Sequence, residues 1–303
     1  MSQSCCERLN PHTRSPPKGY DKCQCYGGEL RYIMKTLLYA TDLTSRADRA
    51  LERACRIAIR QRAKLHIVYV ATSSAEDLAA RNKELDDQIK EQLIEIAGPD
   101  AALPDYVIHA DIGDPVRMIV AKIAELDPDL AVLGQSDDVA ATEVFQGTST
   151  DQIVSKTNHP VLVVRRPVFG DYRKAIVAFD HSLGARRAFE YAMQLAPENQ
   201  MTIAKVIPDI AETPDALRNA HDMVAGHIDA IIQQHADETG AWAKPDIHLL
   251  RGRINEALHD AVLAEEPDLV ACGRTQKTGL KVYVLGSTAS YLLGHLTCDV
   301  LIL

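Results

Sequence analysis

Two short segments of the chain combine glycine with hydroxyl residues in a pattern suited to anion binding. They are Gly147-Thr148-Ser149-Thr150 and Gly286-Ser287-Thr288. Glycine lets the backbone approach a bound group closely, and a helix that begins there presents unpaired N–H groups and partial positive charge. The hydroxyls add further donors. The pattern favours phosphate as the bound group, although Ser and Thr are also preferred as ordinary helix N-caps.

A second glycine lies thirteen residues before each segment, at Gly134 and Gly273. The two intervening loops differ in charge. The first contains Asp137, Asp138 and Glu143, and the second contains Arg274, Lys277 and Lys281. Carboxylates would repel a polyphosphate unless a divalent cation intervened, whereas cations attract it. We therefore expect the second segment to bind phosphate better than the first.

The sequence lacks the motifs of the common catalytic classes. It contains no phosphate-binding G-x₄-G-K-[S/T] loop, no G-x-S-x-G elbow and no H-E-x-x-H, and no G-x-G-x-x-G follows the first strands. The 11 histidines are scattered. Asp111 and Asp114, on either side of Gly113, are interpreted as turn formers. With no catalytic or metal-ligating set, the sequence predicts a protein that is not an enzyme, in which any ATP hydrolysis would be incidental.

The elements that must position these residues occur twice. DPDLAVLGQ at 127–135 matches EPDLVACGR at 266–274, and two further segment pairs share the same offset of 139 residues. A constant offset over three segments indicates a tandem duplication. We place the units at 34–166 and 172–303, joined by a linker that contains Pro167 and Gly170.

Each unit alternates apolar strands with amphipathic helices, which predicts an α/β fold of two tandem, doubly wound, five-stranded parallel sheets. The predicted strands are 36–41, 65–70, 105–110, 130–133 and 161–165, then 175–179, 201–206, 246–251, 269–272 and 299–303. Ligands of such Rossmann-like sheets bind beyond the carboxyl ends of the strands, at the point where the strand order reverses. The closing strands, Val161–Val164 and Val300–Leu303, are apolar edges that we expect to pair within the chain, in imitation of a dimer.

Each unit resembles a universal stress protein domain, of the adenine nucleotide alpha hydrolase-like fold. Nucleotide-binding members of that family carry G-x₂-G-x₉-G-[S/T], and the spacing is the same in both units here. Asp137 and Gln276 replace the second glycine. The resemblance also covers the Asp that ends the first strand, the Gly after the third strand and the closing strand. It spans essentially all of 34–303.

The resemblance implies a candidate nucleotide site in each unit. Asp42 and Asp180 would lie near the ribose or the phosphates, and Val70 and Val206 would face the adenine through backbone atoms. The phosphates would be cradled by Gly134, Gly147, Thr148, Ser149 and Thr150 in the first unit, and by Gly273, Gly286, Ser287 and Thr288 in the second. Gln276 and three residues beyond strand ends, Ser182, Gly113 and Gly252, complete the set.

Two functions remain open at this stage. One is a stress-response protein that binds ATP, ADP or AMP, with or without Mg²⁺, in a regulatory or interaction role. The other is a scaffold of the same fold that has lost its ligand and acts through dimerisation and partner contacts. The two replaced glycines favour the scaffold, while the retained Gly-Ser and Gly-Thr helix starts oppose it. Association of two whole chains is a further expectation of either function.

The composition limits the cellular location and the classes of partner that we expect for this protein. The 303-residue chain has a net charge of −9, which argues against a nucleic-acid partner because such proteins need a basic face. No apolar run approaches the ~20 residues of a membrane span. The first 30 residues lack the apolar core of a secretory signal, so we expect a cytoplasmic protein.

Residues 1–33 have no helical or strand period and are expected to be a disordered tail. Four of the seven cysteines lie there, at Cys5, Cys6, Cys23 and Cys25. An alternative is a zinc site from these cysteines and His12, but C-C and C-x-C do not match the usual C-x₂₋₄-C ligand spacing. A second alternative is that translation begins at Met34, immediately before the first strand.

Overall fold

The computed structural model places two βα units in series. It describes residues 23–26, 29–32, 34–43, 45–71, 78–98, 101–135, 149–196, 200–207, 213–239, 243–276 and 283–303. Within the predicted tail, β1 (Cys23–Tyr26) and β2 (Glu29–Tyr32) form an antiparallel pair. The sequence did not predict these strands, because four residues are too few to show a period. Cys5, Cys6 and His12 of the zinc alternative lie outside the described residues.

The first unit alternates strands and helices as the sequence predicted. Its elements are β3 (Thr36–Thr41), α1 (Ser45–Gln61), β4 (Lys64–Ala71), α2 (Leu78–Ala97), β5 (Tyr106–Ile112), α3 (Pro115–Leu126), β6 (Leu130–Gly134), α4 (Ser149–Lys156) and β7 (Val161–Val164). Asp114 caps α3 by accepting a hydrogen bond from the Arg117 amide at 2.7 Å. Asp114 is therefore a helix N-cap, and the interpretation of Asp111 as a turn former is wrong, because Asp111 lies within β5 opposite Val70 of β4.

The second unit repeats this order. Its elements are β8 (Lys174–Ala178), α5 (Leu183–Leu195), β9 (Gln200–Ile207), α6 (Pro214–Thr239), β10 (Asp246–Arg251), α7 (Ile254–Glu265), β11 (Leu269–Cys272), β12 (Thr275–Gln276), β13 (Tyr283–Val284), α8 (Ser287–His295) and β14 (Asp299–Ile302). All ten strands predicted for the two units are present, with ends within two residues of the prediction. The antiparallel β12–β13 ribbon was not predicted.

Within each unit the five strands are parallel. Their order in the sheet is β5-β4-β3-β6-β7 in the first unit and β10-β9-β8-β11-β14 in the second. Chain order reverses between β3 and β6, and between β8 and β11. These two positions are the topological switch points at which ligands of open parallel sheets bind.

The two units share one sheet of ten strands. β7 pairs antiparallel with β14, so that Leu162 lies opposite Leu301. This confirms the prediction that the apolar closing strands pair within the chain. Both strands are fully buried, and the cores on the two faces of the sheet each contain residues of both units. The two units therefore pack as one hydrophobic body.

The cysteines of the two units are buried, as their positions in apolar patterns indicated. Cys55, Cys272 and Cys298 are free thiols in the core. Burial raises the pKa of Cys55 and Cys298 to about 11 and that of Cys272 to about 12, so the three thiols are neutral at physiological pH. Within the described residues, no helix combines the length and the apolar character that crossing a membrane would need.

Candidate functional site

A cavity of about 180 Å³ lies at the switch point of the second unit. The carboxyl ends of β8, β9 and β11 form its floor, and the first turns of α7 and α8 form its walls. Six of the expected site residues line it: Asp180, Ser182, Val206, Gly273, Gly286 and Thr288. The tertiary structure thus brings together residues that are separated by more than 100 positions in the chain.

The sequence patterns did not identify every residue that lines the cavity. The cavity also contacts Phe179, Lys205, Ile254 and Leu258. Phe179 and Lys205 each lie one position before an expected site residue at the end of a strand, which is the signal that could have identified them. Ile254 and Leu258 lie one helical turn apart at the start of α7. Ile254 and Leu258 make one side of the cavity apolar. The side chains of Phe179 and Lys205 lie on the opposite face of the sheet, with those of Val177 and Ile203, so these two residues reach the cavity through their backbone.

The turn between β8 and α5 is fixed by local hydrogen bonds. The Ser182 amide donates to Asp180 Oδ1 at 3.0 Å, and Ser182 Oγ accepts from the Ala185 amide at 3.1 Å. Ser182 therefore acts as the N-cap of α5. The Asp180 side chain is exposed at the mouth of the cavity, where a ligand hydroxyl could reach it.

A histidine pair stands beside this turn. His181 has a positive φ of 66°, and its Nδ1 lies 2.6 Å from Nδ1 of His227 on α6. The ring of His181 also contacts Phe179 edge to face. Burial, Lys205 and His227 each lower the pKa of His181, which favours a neutral ring at pH 7. The pair links α6 to the cavity wall.

Gly273 is required by the packing of the protein backbone itself. A Cβ at this position would lie 2.4 Å from the carbonyl carbon of Gly184 and 2.6 Å from the amide nitrogen of Ala185. The start of α5 therefore occupies the space that the sequence analysis left for a phosphate. Glycine is needed at this position because the start of α5 packs closely against the end of β11.

Gly286 is covered in part by a neighbouring side chain. A Cβ at Gly286 would lie 2.4 Å from Oγ1 of Thr275, the residue that begins β12. Gly286 is the N-cap residue of α8 and makes no side-chain cap, so the Thr275 hydroxyl lies against the helix start. Both residues still line the cavity.

Arg274 does not face the cavity, and the expectation that it attracts phosphate is wrong. Its side chain is buried and donates to the carbonyl of Val154 at 2.8 Å and to that of His159 at 3.3 Å, both in the first unit. Burial lowers its pKa to about 10, so it remains charged at pH 7. The charge satisfies carbonyls at the end of α4, where a cation is favourable. Lys277 and Lys281 lie outside the described residues.

The remaining expected residues of the second unit are not among those that line the cavity. Gly252 is exposed with φ +105°, which is the left-handed region that favours glycine in a turn. Ser287 is exposed on the first turn of α8. Gln276 pairs with Tyr283 in the β12–β13 ribbon.

In the first unit, the expected residues occupy equivalent ends of strands and helices. Asp42 is exposed after β3 and Val70 is buried near the end of β4. The Gly113 amide donates to the Ala71 carbonyl at 2.9 Å. Thr150 is buried, and its hydroxyl donates to the Gly134 carbonyl at 2.8 Å, so this hydroxyl is used within the protein. Ser149 is exposed; Asp137, Gly147 and Thr148 lie outside the described residues.

The described side chains offer no group of three or more His, Cys, Asp or Glu residues that could hold a metal ion. His66 and His109, interpreted as structural, contact each other across β4 and β5 with 2.9 Å between Nδ1 and Nε2. What the described residues of the cavity offer a ligand is therefore an apolar wall, a carboxylate and the start of a helix.

Each unit has a doubly wound parallel sheet in which its five strands, numbered along that unit, lie in the order 3-2-1-4-5. The second unit has a cavity at its switch point. These features define the class of this protein. Residues 34–165 and 171–303 each match the family model described as the universal stress protein family. The chain belongs to the universal stress protein family, as its motifs indicated.

Individual relatives agree with this assignment over up to 88% of the chain. The chain is 23% identical to the universal stress protein E homolog of Haemophilus influenzae, over 88% of this chain and 96% of that protein. It is 33% identical to a putative universal stress protein of Staphylococcus aureus, over 43% of this chain and 84% of the relative. The crystal structure of a universal stress protein from Archaeoglobus fulgidus has the same fold, with a TM-score of 0.62, 19% identity and coverage of 88% of this chain and 97% of that one.

Proposed function

We propose that the cavity of the second unit binds an adenine nucleotide and that the protein acts by regulation or interaction in a stress response. The observation that supports this most is the position of the cavity, at the switch point between β8 and β11. Six of the residues expected from the family motifs line it. A cavity at this point of an open parallel sheet is the default ligand site of the fold.

The lining residues suggest how the ligand would lie. The apolar side, with Val206, Ile254 and Leu258, suits the faces of a purine. The exposed carboxylate of Asp180 suits the ribose hydroxyls as an acceptor. The start of α8 suits a phosphate, because it places partial positive charge at the cavity.

We also propose that the second unit is the better site. Its switch point holds a cavity that the start of α8 reaches. In the first unit, the corresponding loop contains Asp137, Asp138 and Glu143, and the Thr150 hydroxyl is already bonded to Gly134. A polyphosphate would be repelled there unless a cation such as Mg²⁺ accompanied it.

The test is titration calorimetry of the whole chain with adenosine, AMP, ADP and ATP, each with and without Mg²⁺. We expect binding at about one site per chain, with an affinity for all four ligands that falls several-fold in Asp180→Ala, because the ribose loses its acceptor. Asp87→Ala, which removes an exposed aspartate on α2, is the matched control and should bind as the parent does.

Filling the cavity provides a second, independent test. Val206→Phe places a ring at the end of β9 and should abolish binding while α6 and the sheet remain folded by circular dichroism. Binding that survives Val206→Phe but is lost on an equivalent change in the first unit, Val70→Phe, would contradict the assignment to the second unit.

A second candidate function is a scaffold without nucleotide, which acts through the fold and its partners. The observation that favours it is that the protein itself occupies the spaces beside Gly273 and Gly286. Absence of calorimetric and thermal-shift signals with every adenine compound would support the scaffold. Under both functions we expect no catalytic turnover.

A further inference from the structure

We propose that Thr275 determines ligand specificity, by restricting the cavity to adenosine or an adenosine monophosphate and excluding the triphosphate. This inference rests on the proposed function of the cavity. It goes further by naming the residue and the class of ligand.

The Thr275 side chain lies where the outer phosphates would approach the helix. Its Oγ1 is 2.4 Å, and its Cβ 3.5 Å, from the point that a Cβ of Gly286 would occupy. A glycine at a helix start can admit a phosphate only if that face is open. Here a threonine side chain shares the face, so the room beside the α8 N-terminus is reduced by a hydroxyl and a methyl group.

Contacts on both sides hold Thr275 in this position. Thr275 pairs with Val284 in the β12–β13 ribbon. The preceding Arg274 donates its amide to the Leu303 carbonyl and its side chain to the Val154 carbonyl in the other unit. Gly273 is in van der Waals contact with the start of α5. These contacts fix the backbone of residues 273–275, so a triphosphate could gain room beside Gly286 only by rotating the Thr275 side chain or by breaking contacts between elements.

The charge at the cavity matches one phosphate better than three. Among the described residues that line the cavity, Asp180 brings a negative charge, and the Lys205 side chain lies on the opposite face of the sheet. Arg274 is adjacent in sequence but its charge is committed to carbonyls of the first unit. Of these described groups, the start of α8 offers a phosphate its positive charge.

The experiment compares adenosine, AMP and ATP on the whole chain by competition against a fluorescent adenosine analogue. We expect the parent protein to bind AMP or adenosine at least roughly tenfold more tightly than ATP, a difference of one decade in the dissociation constant. Thr275→Ala should bind ATP more tightly by about the same factor and change adenosine binding little. Thr275→Ser, which keeps the hydroxyl that faces Gly286, should retain most of the parent's preference.

Ser290→Ala, on an exposed position of α8, is the matched control and should leave all three affinities unchanged. Thermal unfolding of each variant verifies that the exposed Thr275 can be replaced without loss of the fold. Parent protein that binds ATP as tightly as AMP, or a Thr275→Ala variant that binds ATP more weakly, overturns the specificity role but leaves nucleotide binding intact. Failure of every adenine compound to bind overturns the proposed function and this inference with it.

Discussion

At the scale of single residues, the glycines of the motif allow close packing within the protein. The sequence alone could not distinguish this role from ligand binding. Gly273 is needed because the backbone of α5 lies against it, whereas the neighbour of Gly286 is the Thr275 side chain, which could rotate to make room. A glycine retained in a family motif is thus compatible with phosphate binding, with internal packing, or with both. The distinction requires knowledge of which atom occupies the missing Cβ position.

Gly273→Ala should destabilise the protein, because the new methyl group would overlap the Gly184 and Ala185 backbone. Backbone atoms cannot rotate away, so we expect the free energy of unfolding to fall by about 1–3 kcal/mol, as for other overpacked sites. Urea unfolding followed by circular dichroism measures the change.

Gly226→Ala is the matched control for that substitution. A Cβ at Gly226 meets nothing within 4 Å, and the residue is exposed in the interior of α6. Alanine is preferred there, so stability should rise by about 0.5–1 kcal/mol. If both variants lose stability equally, the close contact at Gly273 is not the cause.

At the scale of elements, paired strands bring histidines together. His66 on β4 and His109 on β5 are 43 residues apart in the chain, and their stacked rings share a hydrogen bond of 2.9 Å. Burial lowers the pKa of both residues; His109 and Lys64 lower that of His66 further, and Lys122 lowers that of His109. Asp105, Glu125 and Asp111 oppose these effects. The folded protein therefore favours the neutral pair.

Stability should consequently fall as the pH decreases below 6.5, the ordinary histidine value. In that range the unfolded chain binds more protons than the folded protein does, since the folded-state pKa values are lower. The contribution is complete above pH 6.5 and is lost as the pH falls towards the lowered values. Urea unfolding at a series of pH values measures it.

The double variant His66→Gln/His109→Gln should show a smaller decrease of stability over this range than the parent protein. His181 contributes in the same direction, because its pKa is also lowered, so some dependence should persist in the variant. An unchanged pH profile in the double variant would contradict the role of the pair.

At the scale of the whole molecule, the two units are joined by reciprocal contacts as well as by β7–β14 pairing. Arg165 of the first unit donates to the Leu293 and Leu296 carbonyls at the end of α8, and Arg274 of the second unit donates to the Val154 carbonyl near the end of α4. Each unit thereby donates hydrogen bonds to backbone carbonyls near the end of the last helix of the other unit. The buried Asp299 accepts the Arg165 amide at 2.8 Å and so fixes the start of the linker.

Arg274→Met should lower the free energy of unfolding by about 2–3 kcal/mol, because it removes charged hydrogen bonds to buried carbonyls while keeping most of the volume. Arg218→Met, which removes an exposed arginine paired with Asp215, should cost less than about 0.5 kcal/mol. Calorimetry would report both values, and would show whether the variant unfolds in two steps while the parent unfolds in one. Equal effects of the two substitutions would refute a bridging role for Arg274.

Much of the candidate site could be predicted from sequence, and the errors have a common physical cause. Asp180, Val206 and Gly286 were found because they end strands or begin a helix, and local patterns locate such ends. The direction of Arg274 could not be found this way, because a side chain in a loop is oriented by elements far away in the chain. Ile254 and Leu258 were missed because they follow no strand end, and only packing brings the start of α7 to the cavity.

The sequence by itself determined the duplication, the ten strands of the two units and the pairing of their closing strands. These depend on local periodicity and on apolar edges that must be covered, and both are visible in the order of residues. Only the tertiary structure decided which atoms lie beside Gly273 and Gly286, and where Arg274 directs its charge. Those contacts join residues from different elements, and their distances depend on how helices pack on the sheet.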